Sequence, residues 1–117
     1  MSRRSVLLVA VLPALALALQ RAGTGRTPQF ENDAVKVWKT VILPHQPLQM
    51  HRHENGRVLV ALRGGTIRIV PQLGEPHNLT WETGKAYWLP ADPPGELHAD
   101  ENAGKDEIEV VVVELKR

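Results

Sequence analysis

Apolar and polar residues alternate in short runs along most of this 117-residue chain, and glycine or proline breaks each run. The runs are Val35–Leu43, Leu48–His53, Arg57–Arg63, Thr66–Val70, Asn78–Glu82, Ala86–Leu89, Glu96–Asp100 and Glu107–Leu115. None leaves room for a three-turn helix, so they predict eight short strands in an all-β sandwich or barrel. Gly64-Gly65, between two of them, predicts a two-residue hairpin in which glycine supplies positive φ. The last run departs from alternation, with valine at every position from 110 to 113. A strand with one wet face should alternate, so this one is expected to be covered on both sides. The cover is either a closed barrel or the face of a homodimer.

One stretch has a different pattern. Arg3 and Arg4 precede an unbroken apolar run, Val6–Leu19, that is short for the roughly 20 residues a bilayer span requires. A basic start, a short apolar segment and small residues at 14, 16 and 18 describe an export signal, cleaved after Ala18 or Gln20 or else kept as an anchor. Ser2–Leu7 also resembles a twin-arginine signal. The expected organisation is therefore a signal peptide over 1–20, a lead-in over 21–33 and a β-barrel over 34–117. The expected location is exported, periplasmic or secreted, in a bacterial cell.

Charge and composition narrow the chemistry. Fourteen Lys and Arg face thirteen Asp and Glu, and loss of Arg3 and Arg4 with the signal leaves 14 − 2 = 12 against 13. No basic field remains for nucleic acid or, beyond the signal segment, for an anionic membrane. Five aromatic residues are too few for a base-stacking platform. With no cysteine, any metal must be held by imidazole, carboxylate or backbone oxygen.

His51 and His53 stand two apart in a strand-like run and so project to one face, half of a metal site. Around them the chain resembles the cupin family. The first cupin motif has the form G-x5-H-x-H-x3-E-x6-G, matched here by His51, His53 and Gly64. The second, G-x5-P-x-G-x2-H-x3-N, is matched by Gly84 and Pro90, then by Pro93, Gly95, His98 and Asn102, with the spacing from Pro90 to Gly95 three residues longer than the motif's. The resemblance spans about residues 34–115. It implies a small single-domain protein with a jelly-roll β-barrel, and a divalent transition metal (Fe, Mn, Ni or Zn) on His51, His53 and His98.

Two positions depart from the motifs. His45 replaces the opening glycine, and Arg57 stands where the metal-binding glutamate is expected. A +2 ion and a guanidinium ~6 Å apart at an effective dielectric of ~20 repel by about 5 kcal/mol. Arg57 is therefore expected either to turn toward a carboxylate such as Glu54 or to hold an anion shared with the metal, as the fork for a substrate carboxylate. On an extended strand Glu96 and Asp100 share a face with His98, so either could approach the ion as a replacement carboxylate, but their acidic stretch reads better as a solvated rim. Trp38, Trp81 and Trp88 read as core or barrel-mouth packing, and His77 as a surface residue.

Three functions compete. The first is a metalloenzyme of dioxygenase or isomerase type on a small anionic substrate. The second is a non-catalytic module binding a metal or small ligand. The third is a dimeric scaffold whose metal site has lapsed.

Overall fold

The computed structural model describes residues 23–117, and the signal expected over residues 1–20 lies outside them. The described chain is all-β and antiparallel apart from one parallel bridge, Pro44 to Asn102. Its strands are β1 (Gly25–Glu31), β2 (Val35–Ile42), β3 (Leu48–His51), β4 (Arg57–Arg63), β5 (Gly65–Pro71), β6 (His77–Trp81), β7 (Ala86–Leu89), β8 (His98–Asn102) and β9 (Ile108–Leu115). They form a five-stranded sheet, β1-β2-β9-β4-β7, and a four-stranded sheet, β3-β8-β5-β6. This is the jelly-roll β-barrel expected from the turn spacing.

Period-two patterning builds the core. Trp38, Thr40 and Ile42 of β2, Leu59 and Ala61 of β4, and Ile108, Val110 and Val112 of β9 point inward from the larger sheet. Ile67 and Trp81 meet them from the smaller one. Fully burying one such aliphatic side chain stabilises the fold by roughly 1.5–3 kcal/mol. β9 lies at the centre of the larger sheet between β2 and β4, and of its valine run only Val110 and Val112 are inward and buried. Val111 and Val113 fall on the outer face, where Phe30, Val37, Val113, Val58 and Trp88 align as one apolar row across all five strands. Trp88 is thus an outward, exposed residue, unlike the buried Trp38 and Trp81.

Three expectations need correction. Residues 21–33 do not serve only as a lead-in: Gly25–Glu31 forms β1, which among the described residues pairs with β2 alone, with a register shift between Pro28 and Phe30. Gly64-Gly65 is not a hairpin turn. Its flanking strands belong to different sheets, and neither glycine has positive φ. Glycine is required there for close approach, since a Cβ on Gly64 would overlap the Trp81 carbonyl oxygen and one on Gly65 would press on Ile108. Glu96 is not part of β8. Pro93–Glu96 form a turn closed by the Glu96 amide on the Pro93 carbonyl at 3.1 Å, with Gly95 at φ 77°. Proline then glycine at the two central positions is the type II pattern.

Turn geometry also explains a motif position. His45 has φ 61°, the left-handed region that disfavours a side chain by roughly 1–2 kcal/mol. The glycine expected there would adopt it without strain. Asn102 closes the barrel from inside: its amide donates to the carbonyls of Ile42 (2.8 Å) and Asp106 (2.7 Å), and its side-chain oxygen accepts from the Gly104 amide (2.8 Å).

Candidate metal centre

A cavity of about 350 Å³ opens between the two sheets. Trp38, Ile42, Leu59, Trp81 and Val110 give it apolar walls, and a set of polar side chains lines the rest. His51, His53 and His98 converge there, each offering a ring nitrogen within 4.8 Å of the other two. Ring centroids lie 4.9 Å apart for His51 and His53, 4.5 Å for His51 and His98, and 5.7 Å for His53 and His98.

The backbone aims each ring differently. β3 pairs with β8 through Leu48–Asp100 and His51–His98, three residues of one strand spanning two of the other. This bulge turns His51 inward beside His98, where regular alternation from Leu48 would have pointed it out. The strand ends at His51, so His53 does not reach the cavity by strand parity as its spacing suggested. Its loop is held by Asp92: the His53 amide donates to the Asp92 carboxylate and the Asp92 amide to the His53 carbonyl, both at 2.8 Å. Asp92 lies in the three residues by which the chain exceeds the second motif. The His53 ring lies parallel to Trp38.

Electrostatics prepares the rings as neutral ligands. Burial, reinforced by Arg57 and by His51, Arg26 and His98, pushes the His53 pKa down to about 2. Burial likewise lowers His51 and His98. Each therefore presents a lone pair without competition from a proton near neutral pH. The Nδ1 of His51 lies 2.6 Å from the Gln49 carbonyl, which fixes the tautomer with Nδ1 protonated and leaves Nε2 as the donor to a metal. That buried Nε2 has no hydrogen-bond partner, as expected of an atom placed for an ion. A divalent ion on three imidazoles fits this set.

Arg57 is buried on the inward face of β4 and donates to the Pro90 carbonyl at 3.1 Å. Glu54 does not receive it; that carboxylate lies 3.5 Å from Arg52 instead. Two residues of the cavity wall were missed by sequence reasoning. Arg26 projects from β1 over the face of Trp38, 5.0 Å from the ring centroid, and lines the cavity. Asp92 also faces His98, 3.6 Å from its Nδ1. Neither carried a periodic or motif signal, since Arg26 sat in a segment set aside and Asp92 in an insertion. Asp100 is not on a solvated rim: it is 8% exposed and points into the site.

A cupin domain from Bordetella pertussis superposes on this chain with TM-score 0.71 and 26% identity, covering 85% of this chain and 99% of that one. The chain is a small single-domain cupin. A cupin-2 domain protein from Shewanella frigidimarina is similar at TM-score 0.55 and 18% identity, over 85% of this chain and 87% of that one. An RmlC-like cupin with a double-stranded β-helix from Methanocaldococcus jannaschii is similar at TM-score 0.58 and 17% identity, over 82% and 84%. No family profile and no curated protein sequence matches the chain. This cupin has three histidines close enough to bind a metal.

Proposed function

We propose that this cupin binds a divalent first-row ion (iron, manganese, nickel or zinc) through His51, His53 and His98, and with it a small anionic molecule. The observation that carries the reading is the convergence of three ring nitrogens within 4.8 Å on the wall of a cavity. Charge supports the anion. Arg26 and Arg57 face Asp92, Glu96 and Asp100 around the cavity, so a +2 ion on neutral imidazoles still leaves the site with a net positive charge. Arg57 supplies the fork for a carboxylate, with Arg26 beside it. An ion held this way would polarise a bound oxygen or carry redox chemistry, which supports the dioxygenase or isomerase reading over a lapsed scaffold.

Metal analysis of protein purified without an affinity tag tests the reading. We expect close to one equivalent, lost in His98→Ala; less than about a tenth of an equivalent after reconstitution would overturn it. Oxygen uptake with small carboxylates and thiols then separates an enzyme from a binding module. The proposal also includes export, checked by the N-terminal sequence of protein recovered from the periplasm. It further includes a homodimer through the apolar row between Phe30 and Trp88, checked by sedimentation of wild type against Trp88→Glu.

A further inference from the structure

The first cupin motif carries a glutamate that this chain lacks, and the cavity holds a carboxylate from elsewhere. Asp100 follows His98 by two residues on β8 and shares its inward face. One of its oxygens lies 3.5 Å from Nε2 of His51 and the other 3.6 Å from Nε2 of His98. Its Oδ1 is buried without a hydrogen-bond partner, as is the His51 Nε2 that its other oxygen faces. Because Nδ1 of His51 donates to Gln49, that Nε2 is an acceptor, and a carboxylate oxygen is one too. Two buried acceptors facing each other repel unless a proton or a metal ion stands between them, and 3.5 Å is long for a shared proton.

The spacing suits a metal. Ligand atoms about 2.0–2.2 Å from a tetrahedral ion are about 3.3–3.6 Å apart along each edge of the tetrahedron. Each Asp100 oxygen makes one contact of that length, Oδ2 with His51 and Oδ1 with His98, so either oxygen is placed to share an ion with an imidazole nitrogen. We propose that Asp100 is the fourth protein ligand of the centre, taking over from β8 the role of the missing glutamate. The site is then three imidazoles and one carboxylate, with the carboxylate two residues after the third histidine instead of four after the second. Asp92 is excluded from the same role, because it is engaged by the His53 amide and faces Nδ1 of His98.

This inference rests on the metal-binding reading above, and the test separates the two. Cobalt(II) is titrated into wild type, Asp100→Asn, Asp100→Glu and His98→Ala, each first checked for a wild-type far-UV spectrum. Affinity and the cobalt d–d absorption are both read. Loss of a carboxylate ligand predicts at least a 100-fold weaker affinity in Asp100→Asn, together with a changed d–d spectrum. Asp100→Glu should recover part of the affinity. A wild-type spectrum in Asp100→Asn would overturn the proposal even if affinity fell 10–100-fold, the loss typical of a residue that only orients a ligand. If His98→Ala also binds cobalt as wild type does, or wild type binds none, it is the metal-binding reading that fails.

Discussion

Acidification of the metal-free protein is the most direct probe of the site's electrostatics. An unfolded histidine titrates near 6.5, whereas His53 in the fold is pushed down to about 2, first by burial and then by Arg57. Between those values the unfolded chain holds a proton that the folded chain does not, so stability falls as pH falls. Going from pH 7 to pH 5, this histidine alone costs at most about 2 kcal/mol, at about 1.4 kcal/mol per unit below 6.5. His51 and His98 are lowered too and act in the same direction. Asp100 acts in the opposite one: burial raises its pKa, so it takes up a proton in the fold before it would in the unfolded chain. The assay is urea denaturation at half-unit pH steps, with chelator present, for wild type and His53→Gln. We expect a steep loss in wild type and a clearly shallower one in the variant. Equal slopes would refute the argument that burial holds this ring neutral.

Other substitutions test single features. His45→Gly should raise stability by about 0.5–1 kcal/mol in thermal denaturation, because relief of the left-handed backbone exceeds glycine's extra entropy. Gly64→Ala should destabilise by more than about 2 kcal/mol, since the added carbon meets backbone that cannot move aside; a hairpin role would instead leave Gly64→Asn well tolerated. Arg57→Glu should tighten zinc binding at least tenfold by calorimetry, as one positive charge is replaced by a negative one near the ion. A weaker affinity would show that the arginine does more than occupy a vacated ligand position.

Much of this arrangement was legible before any coordinates. Strand β7 runs over Ala86–Leu89 as its pattern predicts, because proline and glycine bound it on both sides. The histidine triad was legible through motif spacing, although His53 arrives by a loop bonded to Asp92. Periodicity could not reveal β1, whose residues apart from Gly25 and Phe30 are polar or proline and mostly exposed, since among the described residues the strand pairs with β2 alone. Nor could it separate Asp100 from the acidic residues around it. Asp100 is buried and Glu101 exposed purely by the register of β8 against β3 and β5, which no local pattern encodes.

Arg26 is delivered to the cavity by β1, which among the described residues stands at the edge of its sheet and pairs on one side. Whatever grips that guanidinium therefore also fastens the strand that bears it. Occupancy of the cavity by an anion and docking of β1 become one equilibrium, and amide exchange along Gly25–Glu31 should slow as the ligand concentration rises.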